Sequence, residues 1–181
     1  MSAPVAEAIA QDASASRVQA AWAVLDTVLD PEVPAVSVCE LGIVREVLAH
    51  DDDALEIVLT PTYSGCPATE VIAHDVQAAL VAARLGPVTV SLRRAPAWTT
   101  DWITAEGRRK LAAYGIAPPH VVAAGEAVPM RFHGRSRAPA LACPRCGSAH
   151  TERLSAFGST ACKALYRCLA CKEPFEHFKP L

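Results

Sequence analysis

Two Cys-x-x-Cys pairs stand toward the end of the chain, Cys143-Pro-Arg-Cys146 and Cys168-Leu-Ala-Cys171, with twenty-one residues between them. Each pair bends the backbone into a knuckle that aims two thiolates at one point, and two knuckles complete a tetrahedron. Four sulfurs so placed suit a zinc ion with Zn–S bonds of about 2.3 Å, and a rubredoxin-type iron takes the same geometry. No coordination position stays open, so the metal is expected to be structural and not catalytic. Gly147 follows the first knuckle, where a left-handed residue is wanted. A turn near Phe157-Gly158-Ser159 and a strand over 164–167 fold the intervening segment into a hairpin, making residues 143–181 a zinc ribbon.

A second constellation is Thr60-Pro61-Thr62-Tyr63-Ser64-Gly65-Cys66-Pro67, set between a strand-like run and a helix-like one. With Pro67 at the first helical position, Cys66 falls at or beside the N-cap, where the helix dipole favours a thiolate. Thr62 and Ser64 offer hydroxyls to the same atoms. The competing reading makes Cys66 a small cap in a tight turn, and the residues alone do not separate the two.

The other cysteines are less informative. Cys162 lies outside the knuckle pattern beside Lys163, which favours its thiolate; it is either a functional thiol or a small hydrophobe packed against the ribbon. Cys39 enters a strand among apolar neighbours and reads as packed. Asp30 and Glu32 bracket Pro31 at a helix end, a setting that ordinary caps and solvated acids share. No G-x-S-x-G, P-loop, G-x-G-x-x-G or H-E-x-x-H motif is present, so nothing marks an enzyme.

The elements that must hold these residues follow from periodicity. Residues 1–15 are alanine-rich and polar and read as a mobile tail. Val18, Trp22, Leu25 and Leu29 then recur at helical spacing, with Ser16 as N-cap and Asp30-Pro31 as the stop. Strands are expected over 41–49 and 55–59, joined by a polar turn at His50–Asp53, and a third over 88–93. A long helix over about 67–84 shares Ala68, Ile72, Val76, Ala79, Leu80 and Ala83 on one face, with His74 on the polar side. A short helix over 104–114 has Thr104 as N-cap and Gly115 beyond its end. The expected fold is α+β: a small domain over 16–117 with helices packed on a three- to four-stranded sheet, a linker over 118–142, then the ribbon.

The 181 residues carry a net charge of only −2, which conceals an asymmetry. Residues 1–129 hold eight Lys/Arg against sixteen Asp/Glu, whereas residues 130–181 hold nine against three. An acidic body and a basic tail suggest two modules with different partners. The first fifteen residues lack a signal-peptide pattern and no apolar run reaches the roughly twenty residues of a membrane span, so a cytoplasmic setting is expected. There, grouped cysteines bind metal more often than they pair.

Asp30-Pro31-Glu32-Val33-Pro34, Glu40-Leu41-Gly42-Ile43-Val44 and the Thr60–Pro67 loop resemble the small domain of SufT-type iron–sulfur assembly factors. Together with Phe157-Gly158-Ser159-Thr160-Ala161-Cys162-Lys163 and Glu173-Pro174-Phe175, they make residues 16–181 similar to the PaaD (PaaJ) family. That family accompanies the bacterial phenylacetyl-CoA ring 1,2-epoxidase. The resemblance implies a non-enzymatic maturation factor whose Cys66, Thr62 and Ser64 handle iron or an iron–sulfur cluster in transit. It also implies oxygenase or reductase subunits of the epoxidase as partners, and it leaves homo-oligomerisation open. One departure is the ending Lys179-Pro180-Leu181, where relatives often carry a further Cys or His. The rival reading is a nucleic-acid-binding zinc ribbon using Arg131, Arg135 and Arg137, although the ribbon's own aromatics do not interleave with these arginines as a base-stacking platform would.

Overall fold

The computed structural model describes residues 3–50, 53–63, 65–119 and 141–180, in the first ten of them the backbone alone. The chain forms two compact units, Met1–Trp98 and Thr99–Leu181.

The first unit opens with helix α1 (Ala3–Leu25). It begins at Ala3 and not at Ser16, so most of the expected tail is helical, as an alanine-rich stretch allows. It also ends early. The chain leaves the helix through a turn in which Thr27 N–H and Oγ1 both reach the Val24 carbonyl. The buried stripe is therefore Ala21, Leu25 and Val28, while Leu29, expected on that face, is 46% exposed. Leu29 instead forms an isolated bridge with Ser37.

Strands β1 (Val44–Ala49) and β2 (Leu55–Leu59) form the expected hairpin, and β3 (Val88–Leu92) pairs with β2 in parallel, giving the order β1-β2-β3. A parallel neighbour requires a crossover, and helix α2 (Thr69–Ala82) supplies it. β1 starts at Val44 and not at Leu41, because Leu41 N–H bonds Ser37 O and Gly42 takes φ 68°, a turn that precedes the strand. Leu25, Leu55, Ile57, Val76 and Leu80 are wholly excluded from solvent and form the centre of the core. Each contributes about 1.5–3 kcal/mol of burial.

The second unit contains a short 3-10 turn (Thr100–Trp102), helix α3 (Ala105–Tyr114) and strands β4 (Ile116–Ala117), β5 (Thr151–Ser155), β6 (Lys163–Cys168) and β7 (Pro174–Phe178). Helix α3 is capped as its residues direct: Thr104 Oγ1 accepts Gly107 N–H at 2.9 Å, and Gly115 closes it at φ 98°. The sheet order is β4-β7-β6-β5, with β5-β6-β7 antiparallel and β4 parallel to β7. The expected hairpin is thus two strands of a larger sheet. Because Ile116 and Ala117 pair with Glu176 and His177, the division falls after Trp98, ahead of the 117/118 boundary expected from the sequence. Most of the expected linker, residues 120–140 with Arg131, Arg135 and Arg137, lies outside the described residues.

Candidate metal centre and the Cys66 loop

The two knuckles meet as their spacing requires. Ligand sulfurs of Cys143, Cys146, Cys168 and Cys171 all lie within 4.8 Å of one another. Cys143 and Cys171 are 3.8 Å apart, and Cys146 and Cys168 are 3.6 Å apart. A tetrahedron with 2.3 Å bonds has edges of about 3.8 Å, so these two pairs stand at a zinc-ligand separation. Gly147 N–H bonds Cys143 O at 2.8 Å with φ 73°, as expected for the first knuckle. The second knuckle uses Lys172 at the equivalent place, at φ 69°. The Cys168 thiol is drawn down to about 6, first by the Cys171 N–H lying 3.5 Å from its sulfur and also by the Ala170 N–H. The Cys171 thiol moves the other way, up to about 12: the Glu173 N–H pulls it down, but burial and the Cys168, Cys146 and Cys143 sulfurs outweigh it.

Beneath the knuckles, Leu141, Tyr166 and Phe175 join Cys143 and Cys168 in one buried cluster, and the Tyr166 and Phe175 rings stack with centroids 5.8 Å apart. Cys162 is buried, with Thr160 Oγ1 3.0 Å from its sulfur, and stands outside the four-sulfur group.

The Cys66 loop is built differently from its sequence expectation. The N-cap of α2 is Ala68, so Cys66 sits two residues ahead of it, with its carbonyl accepting Thr69 N–H at 3.2 Å. The thiol is half-buried, and burial pushes it up; the Ala68 N–H pulls it down, Glu32 pushes it up, Thr69 pulls it down and Asp30 pushes it up. The net direction is upward, opposite to a dipole-stabilised thiolate. The thiolate form is costly here because the surroundings are partly apolar and acidic, and those same carboxylates favour a cation beside the sulfur. Thr62 is half-buried on the same loop, and Ser64 lies outside the described residues.

Asp30 and Glu32 therefore count for more than their sequence setting suggests, since the fold brings them within electrostatic range of Cys66. Asp30 is 7% exposed, and its Oδ1 accepts the Glu32 and Val33 N–H groups at 2.9 and 2.8 Å. The turn that follows is fixed by Ser37 and Glu40, each side chain accepting the other's backbone N–H. Cys39 beside them is held protonated, its thiol pushed far up first by burial and then by Asp26.

A small α+β unit followed by a four-cysteine ribbon is the class of protein that these features define. The family models agree: residues 18–92 match the iron–sulfur cluster assembly protein family, and residues 128–179 match the PaaD zinc beta ribbon domain. The chain is 46% identical over 158 residues to an Escherichia coli K12 protein named as one of the subunits of 1,2-phenylacetyl-CoA epoxidase, covering 87% of this chain and 90% of that one. It belongs to the PaaD family. It is also 32% identical over 88 residues to a Porphyromonas gingivalis protein named Fe-S protein maturation auxiliary factor, covering 48% of this chain and 83% of that one. A crystal structure of a domain of unknown function, DUF59, from Bacillus anthracis superposes with a TM-score of 0.52 at 25% identity, covering 56% of this chain and 96% of that one. Among the described residues no helix is long and apolar enough to cross a membrane.

Proposed function

We propose that this protein is a non-catalytic accessory factor of a phenylacetyl-CoA epoxidase system, which helps to install iron or an iron–sulfur cluster in an oxygenase or reductase subunit. The observation that carries this reading is the pairing of its two modules. The assembly-family segment contains Asp30, Glu32 and Cys66, and the same chain matches the epoxidase-associated relative over most of its length. In the proposed mechanism Cys66 is a protonated thiol at rest. An incoming iron ion displaces the proton, Asp30 and Glu32 offset its charge electrostatically, and Thr62 and Ser64 lie on the same loop. The strand-to-helix position keeps the sulfur partly sheltered, which slows oxidation between deliveries. The ribbon zinc organises the second unit and takes no part in transfer. Its basic character supports docking on an acidic surface of a client in the cytoplasm.

The test is Cys66→Ser. Serine keeps a small polar side chain but is a far weaker ligand for iron. Cells carrying the variant are expected to make folded, zinc-loaded protein, to fail on phenylacetate as carbon source, and to contain epoxidase subunits short of iron or cluster. Normal growth with fully metallated epoxidase overturns the delivery role.

A further inference from the structure

A pocket of about 180 Å³ opens beside the transfer loop, lined by Thr60, Pro61, Thr62, Tyr63, Arg94 and Trp98 with Ala97. It is smaller than the roughly 300 Å³ at which drug-sized sites begin, so it has room only for a small molecule. Two of its groups are uncommitted. Thr60 is 2% exposed, and its Oγ1 is buried with no hydrogen-bond partner among the described residues. An unpaired buried hydroxyl costs about 1–3 kcal/mol, which is unusual unless something else satisfies it. Arg94 is exposed and makes no ion pair among the described residues, whereas the adjacent Arg93 is clamped on both carboxylate oxygens of Glu46. In the same lining, Trp98 is 4% exposed and fixed by its Nε1 donating to Leu41 O at 3.0 Å. Pro61, Ala97 and the rings of Tyr63 and Trp98 supply apolar wall.

We propose that this pocket binds a small carboxylic acid, with the carboxylate on Arg94 and the apolar part of the acid against Pro61, Tyr63, Ala97 and Trp98. A guanidinium presents a planar fork that matches a carboxylate with two parallel hydrogen bonds. Phosphate fits less well. It carries more charge, Arg94 is the single cation among the lining residues, and residues 1–129 have twice as many acidic as basic residues. The Thr60 hydroxyl is the group that such a ligand, or a water it orders, would satisfy after a small shift of the wall. The pocket shares Thr62 with the proposed delivery loop but does not include Cys66, and ligand binding is measured without iron, so this proposal and the delivery role fail separately.

Phenylacetate is the probe, since it joins one aromatic ring to one carboxylate. Zinc-loaded full-length protein is titrated calorimetrically with phenylacetate, 2-phenylethanol, acetate and inorganic phosphate. Phenylacetate is expected to bind saturably at millimolar concentration or better. The neutral alcohol and the ringless acetate are each expected to bind at least about tenfold more weakly. Arg94→Gln is expected to weaken phenylacetate by about tenfold or more, and Arg94→Lys to recover only part of that, because charge without the fork is not equivalent. Arg94 is exposed, so these variants keep the fold, and circular dichroism checks that they do. No saturable phenylacetate binding, equal binding by Arg94→Gln, or tighter binding of phosphate overturns the proposal.

Discussion

Lys163 Nζ stands 3.1 Å from Glu176 Oε2, and the lysine side chain is only 3% exposed. Glu176 also accepts the Ser159 N–H, so one carboxylate ties two strands of the ribbon sheet to the turn between β5 and β6. Burial pushes the Glu176 carboxyl up, but the Ser159 N–H and the Lys163 ammonium outweigh it and hold it below the usual carboxylate range. A carboxyl lowered in the folded state adds stability that is present above its unfolded pKa and is lost as pH falls through the folded value. Glu176→Gln leaves a buried ammonium without its counter-charge and is expected to cost about 3 kcal/mol. Thermal melts of wild type and variant check this: the gap is expected to be full near neutrality and to narrow in acid.

Cys143→Ser removes one of four thiolates. Native mass spectrometry is expected to show loss of the bound metal ion, and limited proteolysis to cut within β5–β7. The β1-β2-β3 unit has its own core of Leu55, Ile57, Val76 and Leu80, so its peptides are expected to stay protected. Cooperative loss of both sets would show that the two units depend on one another.

The Cys66 thiol is raised by burial first, with Glu32 and Asp30 adding to it, so its alkylation by iodoacetamide is expected to be slow at pH 7 and to accelerate as pH rises. Glu32→Gln removes one of the raising influences and is expected to speed the reaction up to a few-fold at fixed pH, a modest gain because burial is the larger cause. Peptide mapping of the alkylated protein isolates the Cys66 rate from those of the other six cysteines.

Thr104→Ala removes the hydroxyl that accepts Gly107 N–H at the start of α3. The expected cost is about 1 kcal/mol, read as a lowered urea midpoint of the second unit with an unchanged slope.

The ribbon, the three strands of the first unit, the crossover helix and the cap of α3 were all legible in the sequence, because each rests on local signals. Cys-x-x-Cys spacing, alternating apolar residues, and Thr104 with Gly115 need no distant partner to be read. What stayed hidden depends on tertiary pairing. The two residues of β4 are too few to show periodicity, and they become a strand only because β7 lies alongside. The link between Asp30, Glu32 and Cys66 spans more than thirty positions and is made by the turn after α1. Nothing local in the sequence separates Arg94 from Arg93, and only the folded neighbourhood distinguishes them.

The pairing of β4 with β7 also bears on how the ribbon behaves alone. β7 has β6 on one side and, along Glu176 and His177, β4 on the other, so part of its outer edge is covered as well. A fragment cut to begin at Cys143 retains every zinc ligand but loses Ile116 and Ala117. Its β7 then presents bare N–H and C=O groups beside the apolar Phe175 and Phe178, a template for pairing with another copy. Such a fragment is expected to load metal normally and still self-associate, and adding residues 99–119 in the same chain is expected to reduce that self-association. Metal content alone would therefore be a misleading guide to where this module begins.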